Sequence, residues 1–211
     1  MGLAPYGEPK YFNLIKENLI DIKEDGSFAL DLNFFNYCTG LTMTNEKFNV
    51  LFGGVPRDPE TEISQRVMDI AASIQKVTEE VLIKLAKGVA KTSGQKNLCL
   101  AGGVALNCVA NGKLLREEIF ENIWIQPASG DAGGALGAAL GAYHIMLNKK
   151  RKPLDKIDNM KGSLLGPEYN ESEIKDSLEG CGAVFSIHSQ DQIIRLTAKD
   201  LADGKAVGWF S

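Results

Sequence analysis

Histidine is scarce in this sequence and cysteine is unpatterned. Only His144 and His188 occur in 211 residues, and the four cysteines (Cys38, Cys99, Cys108, Cys181) form no C-x-x-C pair. That spacing argues against a zinc ribbon or a disulfide framework, and reduced thiols in a cytoplasmic protein are the simple expectation. Cys99 stands inside an apolar run and reads as a small core residue. No stretch approaches the roughly 18 consecutive apolar residues of a membrane-spanning helix. The opening Met1-Gly2-Leu3-Ala4-Pro5-Tyr6 has neither a signal-peptide pattern nor the Ser or Thr that myristoylation prefers at position 6. No membrane partner is expected. Basic charge is also thin: the net charge is −4, and the single basic run, Lys149-Lys150-Arg151-Lys152, reads as a solvated linker. No nucleic-acid partner is expected from that balance. Neither a G-x-x-x-x-G-K-[ST] phosphate loop nor a G-x-G-x-x-G dinucleotide fingerprint is present.

What remains is an ordinary globular composition, 44% hydrophobic and 24% charged. The length suits one domain, or one plus a part of another. Both ends look cut, with a dense turn at Met1–Gly7 and an apolar run, Ala206-Val207-Gly208-Trp209-Phe210, that stops abruptly; an excised segment is expected. A short helix is expected at about Glu8–Asn18, then two strands around Asp25-Gly26 with Phe28, Leu30 and Leu32 alternating as a buried face. Thr44 is placed to cap a short helix reaching Phe52. From Glu62 to about Thr92, Ile63, Val67, Ile70, Ile74, Val77, Val81, Leu85 and Val89 recur at helical spacing. At about 1.5 Å per residue that helix is roughly 45 Å long. It reads as a scaffold laid across a sheet; the same stripe also suits a homodimer helix or the docking face of a non-catalytic interaction module.

After Gly94 the pattern becomes strand–turn–helix twice: strand Asn97–Ala101, helix Asn107–Glu118, strand Ile123–Gln126, helix Ala132–Leu147. Strands alternating with helices point to an α/β layered domain. Lys149–Gly162 is charged and reads as a linker. A second α/β run follows, with strands near Leu164-Leu165, at Ala183–Ile187 and at Ala206–Phe210, and helices from Glu171 and over Gln190–Ala202.

Two constellations carry the chemistry. In Leu98-Cys99-Leu100-Ala101-Gly102-Gly103-Val104-Ala105-Leu106-Asn107 an apolar strand runs into Gly-Gly and then a helix. Without a Cβ, the turn lets a ligand approach the backbone, and free N–H groups at the helix start suit phosphate or ribose oxygens. For an isolated Gly-Gly the simple reading is a tight strand-to-helix turn with packing glycines. In Gln126-Pro127-Ala128-Ser129-Gly130-Asp131-Ala132-Gly133-Gly134 one acid stands among glycines at a helix mouth. For a lone Asp the simple reading is a helix cap. Its place past a strand end, where α/β sheets take ligands, instead suits a cation bridging phosphates.

The ordered pair resembles the second lobe of the actin, sugar-kinase and Hsp70 (ribonuclease H-like) superfamily. Together with Met1-Gly2-Leu3-Ala4-Pro5-Tyr6-Gly7 and Ala71-Ala72-Ser73-Ile74-Gln75, the wording resembles the O-carbamoyltransferases of nodulation and antibiotic tailoring over essentially the whole chain. The resemblance implies residues 1–148 as the C-terminal lobe of the actin-like domain, 149–162 as a linker, and 163–211 as the truncated front of a YrdC-like domain. It also implies a two-step reaction: carbamoyladenylate is made from carbamoyl phosphate and ATP, and the carbamoyl group then passes to a hydroxyl of a small acceptor. By the same resemblance Asp131 is a ligand of a divalent metal, usually iron, Gly103 and Asn107 touch the adenylate, and Gly102 makes the turn.

The sequence departs from that family in lacking an H-x-x-x-H pair of metal ligands; neither His144 nor His188 has that spacing. A lone carboxylate binds metal weakly, so the chain alone is expected to be inactive. A tRNA threonylcarbamoyl-transfer relative and an ATP-dependent kinase of the same superfamily are the alternatives. The first lacks a basic surface here, and the second lacks its opening phosphate loop.

Overall fold

The computed structural model describes residues 1–152 and 160–210. Two compact units are present, Met1–Pro153 and Leu154–Ser211. Of the expected linker 149–162, residues 153–159 lie outside the described residues.

The first unit is built on one helix. After a 3₁₀ turn at Ala4–Tyr6 come α1 (Phe12–Asn18), a hairpin of β1 (Ile20–Ile22) and β2 (Phe28–Leu30), and α2 (Glu46–Leu51). Asn45, not Thr44, caps α2, its side chain accepting the N–H of Lys47. Asn45 lies one residue nearer the first turn and has the extended backbone a cap needs. α3 (Gln65–Ser93) is 29 residues long and ends on Gly94 in the left-handed region. β3 (Asn97–Leu100), a 3₁₀ turn (Gly103–Leu106), α4 (Cys108–Arg116), β4 (Asn122–Ile125) and α5 (Ala132–Gly141) follow, α5 running on into a π-helical turn over Ala142–Met146.

β1 and β2 pair antiparallel, and β3 and β4 pair parallel with Asn97 opposite Asn122 and Leu100 opposite Ile125. The core divides along α3. Near its middle, Val77 and Val81 bury with Ile15, Leu19 and Phe52. Towards its end, Ala86 packs with Leu114 and Phe120, and Leu98, Leu100 and Ile123 cover that cluster from the β3–β4 pair. α3 therefore does lie against strands: Ile20 and Ile22 of β1 pack on its middle cluster, and the β3–β4 pair packs on its later turns. The apolar stripe is buried in part: Val77 and Val81 are inside, while Ile63, Ile74 and Val89 are exposed.

Two burial expectations are corrected. Phe28, Leu30 and Leu32 are exposed, because a two-stranded hairpin has nothing packed on that face among the described residues, and Leu32 belongs to a 3₁₀ turn. Cys99 is exposed as well. Leu98 and Leu100 point to the helices, so strand alternation sends Cys99 and Trp124 to the other, uncovered face.

The second unit has a 3₁₀ turn (Lys161–Ser163), α6 (Glu171–Gly180) and α7 (Gln190–Ala202). The expected strands near Leu164-Leu165, at Ala183–Ile187 and at Ala206–Phe210 are not formed; those residues are irregular and mostly exposed. A strand exists only with a hydrogen-bonded neighbour, and none is present among the described residues. No described helix is long and apolar enough to cross a membrane.

Candidate functional site

Parallel pairing of β3 and β4 puts both carboxyl ends, Ala101 and Gln126, on one edge. Gly102 turns the chain there at φ 100°, ψ 157°, a conformation open to glycine and costly for other residues. Its N–H donates to the Ser129 carbonyl at 2.9 Å, which fastens the turn after β3 to the loop after β4. In the first turn of α5 Gly133 closes on that second loop: its N–H donates to the Gly130 carbonyl at 2.9 Å, and a Cβ would sit 2.2 Å from the Ala128 oxygen. Between the loops lies a hollow of about 330 Å³ lined by Ala101, Gln126, Ser129, Gly130, Gly134 and Gly137, among others. Ser129 is buried, and its hydroxyl has no hydrogen-bond partner among the described residues. Such an atom is costly to leave dry and suits a polar ligand group.

Asp131 opens α5 but does not cap it. Its backbone is already helical (φ −58°, ψ −34°), and its carboxylate makes no cap hydrogen bond. The side chain is exposed and free to meet a cation or a phosphate-bound metal.

Asn107 is placed otherwise than a ligand contact in open view. It is buried and caps α4, its Oδ1 accepting the Ala110 N–H at 3.1 Å. Its amide also pairs reciprocally with Gln75 of α3: Nδ2 donates to Gln75 Oε1 at 2.9 Å, and Gln75 Nε2 donates to Asn107 Oδ1 at 3.1 Å. Gln75 Nε2 also donates to Glu79 Oε1 at 2.8 Å, and Glu79 is ion-paired with Lys113 of α4. A second hollow, also of about 330 Å³, borders this group and is lined by Ala71, Ile74, Gln75, Thr78, Gly103 and Val104, with Met1 and Asn107.

Met1 reaches that hollow because the N-terminal segment is strapped to α3. Asp69, buried, accepts from the Glu8 N–H at 2.9 Å, Lys10 Nζ at 2.9 Å and Gln65 Nε2 at 2.8 Å. The Glu8 N–H first, then Lys10 and Gln65, hold its carboxyl down to about 2. One turn on, Ser73 Oγ accepts the Tyr11 N–H at 3.0 Å.

The structure thus gathers Gly102, Gly103 and Asn107 around one turn, and the Gly102–Ser129 bond brings the loop of Asp131 alongside. It adds no further metal donors: no group of three or more His, Cys, Asp or Glu able to hold an ion occurs among the described residues. His144 Nδ1 lies 2.7 Å from the Lys149 carbonyl, and His188 Nε2 lies 2.8 Å from Ser186 Oγ. A single carboxylate fits one corner of a metal site and does not make one. Sequence reasoning missed Gln75, Glu79 and Lys113 as a group. The available signal was the four-residue spacing of Asp69–Ser73 and Gln75–Glu79, polar residues set beside the apolar stripe of a helix.

Residues 1–140 match the family model described as the carbamoyltransferase N-terminus. The chain belongs to the carbamoyltransferase family. Its relatives include an uncharacterized protein of Synechocystis, 57% identical over all of this chain and 34% of that protein. Nodulation protein NolNO of Sinorhizobium fredii is 32% identical over 99% of this chain and 28% of its own length. Nodulation protein NolO of Bradyrhizobium diazoefficiens is 30% identical over 99% and 35%. The chain spans about a third of the length of these relatives.

Proposed function

We propose that this chain supplies the nucleotide-facing half of an O-carbamoyltransferase site. Its first unit is read as the second lobe of an actin-like domain, and residues 163–211 as the front of a YrdC-like domain. The reaction takes carbamoyl phosphate, water and ATP to carbamoyladenylate: hydrolysis of the carbamoyl phosphate releases phosphate and carbamate, and the carbamate oxygen attacks the ATP α-phosphorus, with pyrophosphate leaving. A hydroxyl oxygen of a small acceptor then attacks the carbamoyl carbon; the bond from that carbon to the adenylate phosphate oxygen breaks, and AMP leaves with the electron pair. In this chain the backbone around Gly102 and Gly103 and the hydroxyl of Ser129 hold the nucleotide, and Asp131 offers one oxygen to a divalent metal, iron by resemblance. When bound, that metal supplies positive charge at the adenylate phosphate. No step is assigned to it, since the described residues hold a single donor.

The observation that carries this reading is the hollow at the carboxyl ends of β3 and β4, where two glycine-rich loops are bonded to each other and Asp131 stands uncommitted. Ligands of open α/β sheets bind at that edge. Calorimetric titration of ATP, with and without ferrous iron or manganese, tests it on this chain and on Asp131→Ala. The expected result is weak binding that metal strengthens and the variant loses. Absence of ATP binding in every condition overturns the assignment. Carbamoyl transfer by the 211-residue chain alone is expected to be nil, and measurable turnover would show that more of the site is present than one carboxylate.

A further inference from the structure

The buried Asn107 amide and the half-buried Gln75 amide between α4 and α3 restrict which kind of ligand atom the hollow beside Gly103 accepts. A backbone N–H only donates, so the Asn107 atom facing Ala110 at 3.1 Å is the oxygen, Oδ1. Nδ2 is thereby turned to Gln75, donating to its Oε1 at 2.9 Å. Gln75 is fixed in turn. Its Nε2 spends one N–H on Asn107 Oδ1 and the other on Glu79 Oε1. Glu79 is only 6% exposed, and its carboxylate is ion-paired with Lys113. Turning the Gln75 amide over would set oxygen against oxygen at Glu79. Each amide group is then committed except one, the second N–H of Asn107 Nδ2.

We propose that Gln75 and Glu79 are positioning residues that lock the Asn107 amide so that it offers a donor N–H to the hollow lined by Ile74, Thr78, Gly103 and Val104. The ligand atom received there is a hydrogen-bond acceptor, such as a purine ring nitrogen or a ribose or phosphate oxygen, and an amino group is refused. The identity of the ligand as a nucleotide rests on the reading above. The orientation of the amide does not.

Two measurements separate these. In the first, ATP is titrated into the chain and its variants, with helix content checked by circular dichroism. Asn107→Asp keeps a good cap for Ala110 but removes the donor, and is expected to weaken ATP binding about tenfold, the worth of one hydrogen bond to a buried group. Glu79→Gln frees the Gln75 amide and is expected to cost about threefold, an effect that disappears in an Asn107→Ala background because it acts through Asn107. ATP binding by Asn107→Asp equal to the unaltered chain, or an undiminished Glu79→Gln effect in the Asn107→Ala background, overturns the proposal. The second measurement needs no nucleotide. Hydrogen exchange of the Asn107 side-chain amide, followed by ¹⁵N NMR, is expected to speed up about tenfold in Glu79→Gln as the lock opens. Unchanged exchange overturns the positioning role even where ATP binds. Failure of the unaltered chain to bind ATP, with the faster exchange present, removes the nucleotide reading and leaves the lock standing.

Discussion

In the first unit α4 buries Leu114 completely, and Phe52, at the end of α2, is 1% exposed, whereas α6 and α7 of the second unit bury no residue at all. The second pair is nevertheless well begun. Asn170 with Glu173 and Ser189 with Gln192 each form a full capping box, in which side chain and backbone satisfy one another at the first turn. In the first unit helices are held by what lies across from them; in the second they are held by what lies three residues along. Local signals are thus sufficient to write a helix. They are insufficient to write a strand, and the three strands expected in the second unit are missing.

The largest effect that sharpens this contrast is loss of a core ring. Phe52→Ala is expected to destabilise the first unit by about 3–5 kcal/mol, and Ile193→Ala, on α7, to cost under about 0.5 kcal/mol as a surface change. Urea denaturation followed by hydrogen exchange in each unit measures both, and equal costs would erase the distinction.

The same glycine substitution gives a second comparison. Gly26, at the hairpin tip, has φ 85°, and a Cβ would fall 2.2 Å from the Leu85 nitrogen of α3. Gly182 has φ 69° with nothing within 4 Å of a Cβ. Gly26→Ala is expected to cost about 3 kcal/mol, backbone overlap added to left-handed strain, and Gly182→Ala about 1 kcal/mol from strain alone. Melting temperatures of the two variants test the ranking.

Caps reverse the emphasis. Ser189→Ala is expected to cost about 1 kcal/mol, confined to α7. Amide exchange should rise in its first turn and stay unchanged in α3.

The mildest test alters only pH. Asp69 has its folded pKa lowered to about 2, below its ordinary 3.8. Its contribution is therefore complete above about pH 4 and lost as pH falls towards 2. Burial pushes Glu80 up, but Lys16 and Lys84 hold it below its usual value, which acts in the same direction. Thermal stability of the first unit should fall across that acid range, and Asp69→Asn should flatten the fall.

These contrasts also mark what the sequence could disclose. α3 was legible because its apolar positions repeat locally, and the order strand, turn, helix after Gly94 because Gly102-Gly103 and Pro127–Gly130 punctuate it. Phe28 and Leu30 are exposed although they alternate as one face, because alternation tells which residues share a face and not what covers it; Cys99 is exposed because an apolar run does not tell which of its two faces is covered. Gly102, Gly103 and Asn107 stand out in the sequence as a motif, yet Gln75, which the Asn107 amide bonds, lies 32 residues away, and Lys113 lies 34 residues from Glu79. Side-chain pairings at that separation have no period to betray them. Asp131 was legible as an acid at a helix mouth; only its backbone shows that it leaves the cap unmade.

α3 meets the N-terminal strap at Asp69 and Ser73, the Asn107 amide at Gln75, and the hairpin tip at Leu85 and Gly88, where a Cβ would lie 2.4 Å from the Asp25 oxygen. These contacts lie on different faces of the helix, and all depend on its unbroken winding. A single residue inserted after Glu79 would turn everything beyond it by about 100° and swing Gly88 away from the hairpin. Change by insertion or deletion is thereby barred from this helix and left to exposed stretches such as residues 55–64. The helix is a fixed ruler for the first unit, against which exposed stretches can be lengthened but which cannot itself be recut without losing these contacts.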